Sequence, residues 1–342
     1  MSANTSIQWT DATWNPTRGC SRVSPGCQNC YAERTAARQM NSGYAGLVRS
    51  TPQGPRWTGG VRVVEDALTI PLRWRKPRRI FVDSMSDLFH DAIEDAQIDR
   101  VLAVMLIAQS GATRCVRPYH EHGDGECRGF TFAPHTFQVL TKRADRMAAY
   151  FATPHREDLV RDACHSLPWT FSDEIAAGVP WPLPNVWLGV SVEDQQRADE
   201  RIPHLLAVPA AVRFLSVEPL LGPVDLRIPL ARFVEPGHTL HGADGLNVNT
   251  LCGVGGGSPI PALDWVIVGG ESGPGARPCD VAWIRRVVED CREAGVPCFV
   301  KQFGANAVRG GTSLNLREPK GGDPMEWFHD LRVREFPTGE KA

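Results

Sequence analysis

The stretch from Arg79 to Gln109, RIFVDSMSDLFHDAIEDAQIDRVLAVMLIAQ, changes its periodicity partway along. Ile80, Phe81 and Val82 form a short apolar run that stops at Asp83, as a buried strand does on reaching a loop. Further on, Ile98, Val101, Leu102, Met105 and Leu106 recur at the spacing that lines one face of a helix, with Asp95 available as its cap. A both-sides-apolar strand followed by an amphipathic helix is the repeating unit of a parallel sheet covered by helices.

The unit recurs outward in both directions. TFQVLTKR ending at Arg143, NVWLGVSVED ending at Asp194, VRFLSVEP ending at Pro219, DWVIVGGESG ending at Gly273 and PCFVKQFG ending at Gly304 are further strands, and IQWTDATWNP over residues 7–16 precedes them all. A second helix carries Val281, Ile284, Val287, Val288 and Cys291, with Asp280 as its cap and Gly295 as its stop. So long a series predicts an α/β fold, a (β/α) TIM-type barrel or partial barrel over residues 1–342, with a doubly wound open sheet as the alternative. Residues 111–134 and 234–261 are rich in Gly, Pro and His, lack hydrophobic period, and read as surface insertions.

Composition narrows the partners. Lys and Arg number 37 against 39 Asp and Glu, a net charge of −2, and 42% of residues are hydrophobic, which excludes wholesale disorder and any bulk attraction to phosphate. Nucleic-acid contact must come from a local patch. The run Arg73-Trp-Arg-Lys-Pro-Arg-Arg79 gathers five cations around one tryptophan and suits phosphate contact with base stacking; a solvated turn is the alternative. The first residues carry no basic and apolar export pattern, and the longest apolar run, Val101 to Ala108, is too short to span a bilayer. The expectation is a cytoplasmic chain without membrane contact, whose ten cysteines serve as reduced thiols or metal ligands rather than disulfides.

Three of those cysteines lie in GCSRVSPGCQNCYAE, Gly19 to Glu33, on the loop after the first strand. Cys20, Cys27 and Cys30, spaced C-x6-C-x2-C, can converge on one centre because the Pro/Gly loop reverses the chain while the close pair chelates. Three ligands on a 4Fe-4S cluster leave one iron open, which is what catalysis at a cluster needs. The alternatives are zinc, with a fourth ligand from Cys279, Cys298 or a histidine, or unligated thiols. In the first insertion Cys115, His120, His122 and Cys127 are chemically competent for an additional zinc, although loop decoration also explains them; His238, His241 and Cys252 form a weaker set.

If the barrel closes, Asp87, Lys142, Arg143, Ser191, Glu193, Glu218, Glu271 and Lys301 meet at the carboxyl ends of the strands, a mixture that suits a zwitterion. Lys142, Glu193, Glu218 and Lys301 are the candidate catalytic residues, and a structural ion-pair network is the alternative. Two other functions stay open: a non-catalytic nucleic-acid-binding module braced by zinc or a cluster, and a metal-independent hydrolase or lyase using the carboxylates and Lys142. No Gly-x-Ser-x-Gly elbow or His-Glu-x-x-His pair promotes the latter.

The motifs IQWTDATWNPTRGCSRVSPGCQNCYAE, FVDSMSDLFH, FQVLTKR, GVSVED, SVEPLLG, VIVGGESG and KQFG together resemble a phage-associated three-cysteine family of unknown function, distantly similar to radical S-adenosylmethionine (SAM) enzymes. The resemblance implies a 4Fe-4S cluster on Cys20, Cys27 and Cys30, SAM chelating the open iron, an external electron donor, and cleavage of the sulfonium to a 5′-deoxyadenosyl radical. The substrate is not identified by the sequence; a nucleic acid or nucleotide is the candidate, and a protein partner that completes the site stays open. The chain departs from the usual radical-SAM pattern. Its first cysteine gap holds six residues rather than three, Asn29 precedes the last cysteine where an aromatic is usual, and Tyr31 follows it. Gly269-Gly270-Glu271 falls at the sixth strand, whereas the motif that holds the SAM amino group belongs at the second. Ser84, Ser86 and Asp87 occupy that second-strand position and become the candidates for the amino group, with Tyr31, Ser191, Glu193 and Glu271 as further cofactor contacts.

Overall fold

Seven parallel strands form one sheet: β1 (Ala12–Trp14), β2 (Arg79–Val82), β3 (Thr136–Thr141), β4 (Val186–Ser191), β5 (Val212–Val217), β6 (Trp265–Gly269) and β7 (Cys298–Gln302). Their order in space is their order in sequence, the arrangement of a (β/α) barrel, but no ladder joins β7 to β1. The sheet curls into a half-barrel flanked by helices. The computed structural model describes residues 5–39, 43–110, 133–168, 176–229, 247–252 and 262–337, with short backbone pieces at 113–114, 130–131, 254–255 and 258–259.

Alternation along each strand produces two cores. In β4, Val186, Leu188 and Val190 pack outward with the helices, whereas Trp187 joins Phe81, Phe214, Trp265, Ile267 and Phe299 in a separate cluster inside the curl. The interior is therefore filled with aromatic rings. Trp9, from the leader to β1, stands 4.8 Å from Phe81, and Phe336 stands 5.3 Å from Trp265 and 5.4 Å from Phe299. The tail carrying Phe336 also runs beside β7, where the Val300 N–H donates to Val333 O at 2.8 Å and the Glu335 N–H to Cys298 O at 2.9 Å. Pairing of this kind covers an otherwise bare sheet edge.

Six of the helices cover the outer face or the mouth: α1 (Tyr31–Arg38), α2 (Asp95–Gln109), α3 (Ala144–Ala152), α4 (Arg156–Ala163), α5 (Gln195–Ala207) and α6 (Val281–Ala294). In α2 the predicted apolar positions Ile98, Val101, Leu102, Met105 and Leu106 are all buried, a face in which each side chain contributes about 1.5–3 kcal/mol. Its cap is Glu94 rather than Asp95: Glu94 and Gln97 each accept the other's backbone N–H, which fixes the helix start one residue earlier. Asp95 is instead engaged by Arg146 and Arg156. In α6 the Asp280 carboxylate accepts the Ala282 N–H at 2.9 Å and Gly295 ends the helix with φ 70°, as the sequence predicts.

Both predicted insertions are entered through antiparallel ladders. Thr113–Arg114 pairs with Phe130–Thr131, and Arg227–Pro229, Asn247–Asn249, Val254–Gly255 and Ser258–Pro259 form a four-stranded sheet between β5 and β6, where the other crossovers carry helices. At the carboxyl end of β1, residues 17–39 and 43–63 form a flange. It consists of the ladder Thr17–Arg18 with Arg62–Val63, the hairpin Val48–Arg49 with Arg56–Trp57, and α1. The flange has its own small core of Ala32, Ala36, Tyr44, Leu47, Val48, Trp57 and Met85. No helix among the described residues is long and apolar enough to cross a membrane.

Candidate functional site

Cys20, Cys27 and Cys30 are free, half-buried thiols on the loop that leaves β1 and enters α1. Cys20 and Cys30 pack against the flange core, and Cys30 immediately precedes the first turn of α1. Burial pushes the Cys20 thiol up to about 12, with the Asp87 carboxylate adding to the effect and the Arg143 guanidinium opposing it. Burial also raises Cys30, against the pull of the Glu33 and Ala32 N–H groups at the helix start. Cys30 raises Cys20 and Cys27 raises Cys30, so negative charge on neighbouring sulfurs is mutually unfavourable without a cation between them. Among the described residues no three Cys, His, Asp or Glu side chains stand in a metal-holding arrangement, so ligation by this loop requires the thiols to swing closer together. The donor chemistry itself, three free thiols on one short loop, fits an iron–sulfur cluster.

The loop is gripped from four strand ends. After β3, the Arg143 guanidinium donates to the Ser21 hydroxyl at 2.7 Å, to the Ser21 carbonyl at 3.2 Å, and lies 3.9 Å from the Cys20 sulfur. After β4, Glu193 is fully buried; its carboxylate accepts the Gly26 N–H at 3.1 Å and Arg201 at 3.0 Å. Although burial acts to raise Glu193, the charges of Lys142 and Arg201 and hydrogen bonds from Ser24 and Gly26 hold its carboxyl below the usual range. After β6, Glu271 accepts the Asn29 amide at 2.9 Å and a two-pronged Arg277, while Arg277 also reaches the Pro25 carbonyl at 2.9 Å. After β2, the Tyr31 hydroxyl donates to the Ser84 carbonyl.

These contacts decide how the predicted strand-end residues are employed. Asp87 accepts from Thr141 Oγ1 at 2.7 Å, the Phe89 and Lys142 N–H groups, and Arg143 at 3.1 Å, so it ties β2 to β3. Ser84 donates to Asn15, and Ser86 is paired with Thr17, so these serines fasten the second-strand loop to the chain following β1. A different set faces the mouth without holding the cysteine loop. Lys142 Nζ donates to Ser191 Oγ at 2.7 Å, Ser191 donates to the Glu218 carbonyl at 3.0 Å, and Lys301 Nζ meets Glu218 Oε1 at 2.6 Å. Two ammoniums, one carboxylate and one hydroxyl thus lie side by side on β3, β4, β5 and β7.

Ser21, Gly26 and Asn29 lie within the cysteine motif and Arg277 outside every motif, but nothing in the sequence marks the roles of these four, which arise from contacts between residues far apart in the chain. Asp83 is another such residue. It is 3% exposed, has φ 57°, and its Oδ2 has no hydrogen-bond partner. Burial raises its carboxyl to about 7. Gly270 is a packing requirement: a Cβ there would lie 2.1 Å from the Phe303 carbonyl oxygen. The basic run 73–79 ends at the first residue of β2, the end of the sheet opposite the cysteines, where Arg79 pairs with Asp11. Cys115, His120, His122, Cys127, His238 and His241 lie outside the described residues, and Cys252 is exposed.

No curated protein and no solved structure matches the chain. One protein family does, over residues 4–113 and 131–326, a match that passes over the interior of the first insertion and includes all three cysteines and every strand of the sheet. With nearly the whole half-barrel matched, the chain belongs to the protein family of unknown function DUF5131.

Proposed function

We propose that the chain is an iron–sulfur enzyme of radical-SAM type, in which Cys20, Cys27 and Cys30 hold a 4Fe-4S cluster with one iron left for SAM. One observation carries this reading: three free thiols share a loop at the carboxyl mouth of a (β/α) half-barrel, and side chains after β3, β4 and β6 together with the Ser84 carbonyl after β2 fix that loop in place. When bound, the cluster and SAM supply one-electron cleavage chemistry; the chain supplies placement and charge. Arg143 sets a cation beside Cys20, and Lys142, Lys301, Glu218 and Ser191 offer a zwitterion both signs of charge. The proposal includes an external electron donor, a reducing cytoplasmic setting, and a phage-associated role acting on a nucleic acid or nucleotide.

Anaerobic purification with iron and sulfide analysis tests it. The expected result is about four irons and four sulfides per chain, lost in Cys30→Ala, with 5′-deoxyadenosine released from SAM after reduction. Stoichiometric zinc without iron overturns the cluster, and a loaded, reduced cluster that neither binds nor cleaves SAM overturns the assignment to SAM chemistry.

The 2.7 Å Lys142–Ser191 contact favours one second reading, a metal-independent hydrolase or lyase with Ser191 as nucleophile. In the hydrogen-bond arrangement present, Lys142 donates to Ser191 and the Ser191 hydroxyl donates to the Glu218 carbonyl, so this reading requires a neutral lysine and a turned hydroxyl. Turnover that survives chelation and is lost in Lys142→Met would select it.

A further inference from the structure

Between Asp11 and Glu65 the chain carries seven arginines, no lysine and a single carboxylate, Glu33, a net charge of +6 within a protein of net −2. The residues are scattered, and folding collects them on the flange that also bears Cys20, Cys27 and Cys30. Glu33, already counted in that total, is buried and holds Arg22 at 2.6 Å and Arg56 at 3.7 Å, so the remaining arginines carry the excess charge. Arg38 at the end of α1 and Arg49 in the hairpin are exposed. At the first residue of the helix that Arg38 ends, Tyr31 is 53% exposed while its hydroxyl is held by the Ser84 carbonyl, so what faces outward is the ring.

We infer that this flange is a single-stranded nucleic-acid-binding surface that delivers a polynucleotide to the cysteine mouth, with its arginines on the phosphates and Tyr31 stacking on a base. Exclusive use of arginine fits phosphate, which the guanidinium fork meets with two hydrogen bonds where an ammonium offers a point charge. An exposed ring held edge-on by its hydroxyl is a stacking platform of the kind that unpaired bases occupy. A membrane surface would ask for an apolar face beside the cations, and among the described residues the exposed large apolar side chains of the flange are only Val23 and Tyr31, both next to the cysteines. The surface deepens the proposed function by narrowing its substrate class to a single-stranded polynucleotide, and it rests on that reading only for what happens at the mouth; binding itself needs no cluster.

The test is fluorescence anisotropy with labelled oligouridylate and oligothymidylate of about 20 nucleotides, titrated between about 50 and 200 mM salt. Log affinity is expected to fall linearly with log salt. The double variant Arg38→Glu/Arg49→Glu is expected to bind at least about 10-fold more weakly and to reduce the salt slope by about 1.4. Tyr31→Ala is expected to weaken binding by about 10-fold with the slope unchanged, and Tyr31→Phe to restore it. Arg73→Glu/Lys76→Glu, at the other end of the sheet, should bind as the unaltered protein does. Thermal unfolding by circular dichroism establishes that each variant is folded.

No salt-dependent binding to either oligonucleotide, binding indifferent to Arg38 and Arg49, or arginine-dependent binding to phosphatidylserine vesicles in its place overturns the inference. Measuring iron on the same samples separates the two proposals. A zinc-only or metal-free protein that still binds oligonucleotide through Arg38 and Arg49 loses the cluster and keeps the surface, whereas an iron-loaded protein without that binding loses the surface alone.

Discussion

Glu193, fully buried just past the end of β4, reaches across the mouth and accepts the backbone N–H of Gly26 at 3.1 Å, immediately before the second cysteine of the loop. The approach is so close that a Cβ on Gly26 would lie 3.0 Å from the Glu193 carboxyl carbon. Arg201 holds that carboxylate from behind at 3.0 Å, which leaves it little freedom to retreat. Gly26→Ala is therefore expected to displace the loop, with a loss of about 1–3 kcal/mol in urea unfolding and reduced iron per chain on reconstitution. Unchanged stability together with full iron uptake would show that the contact is dispensable.

Arg143 and Asp87 form a buried pair at 3.1 Å, with side chains 5% and 8% exposed. Arg143→Gln leaves Asp87 charged and poorly compensated, although Thr141 and two backbone N–H groups still serve it. The expected cost is about 3 kcal/mol, the lower end for a broken buried pair. Because Arg143 also holds Ser21, the same variant should retain less iron after gel filtration; an unaffected iron content at reduced stability would confine its role to the scaffold.

Asp83 gives a pH prediction whose sign follows from its burial. Its folded carboxyl is raised to about 7 from an ordinary 3.8, so between those values the native state holds a proton that the unfolded chain has released. Stability is thus fully supported below about pH 4 and declines as pH rises toward 7. Asp83→Asn removes the titration and keeps an oxygen for the Thr17 N–H, and asparagine tolerates φ 57°. The variant is expected to be more stable than the unaltered protein at pH 8 by about 1–3 kcal/mol, with the difference shrinking toward pH 4. Parallel unfolding curves at the two pH values would contradict this.

Gly189 in β4 faces the Phe214 ring so closely that a Cβ would sit 2.6 Å from three of its carbons. Phe214 is itself completely buried among the interior aromatics. Gly189→Ala is expected to cost about 1–3 kcal/mol, and Phe214→Leu in the same chain to recover part of it. Additive losses in the double-mutant cycle would mean that the ring moves aside freely.

The sheet was legible in the sequence because parallel strands are buried on both faces and therefore appear as apolar runs with abrupt ends; all seven runs, from Ala12 to Gln302, became neighbouring strands. Cap chemistry was legible at Asp280 and misread at Asp95, where two adjacent acids compete and only the reciprocal Glu94–Gln97 geometry distinguishes them. The cysteine loop was visible as a motif. What lay beyond the sequence was the employment of its surroundings: Glu193 and Glu271 each find partners across 167 and 242 residues of chain, separations that no local pattern encodes. The arginines of the flange escaped notice for a related reason. They never cluster along the chain, so the denser run before β2 drew attention to the opposite end of the sheet.

Six main-chain ladders bind each strand to the next and none joins β7 to β1; near that gap the Arg79 guanidinium at the start of β2 stands 4.1 Å above the Phe336 ring of the tail that runs beside β7. That gap is bridged by packed rings and a cation, so parting it would leave all six ladders of the sheet intact.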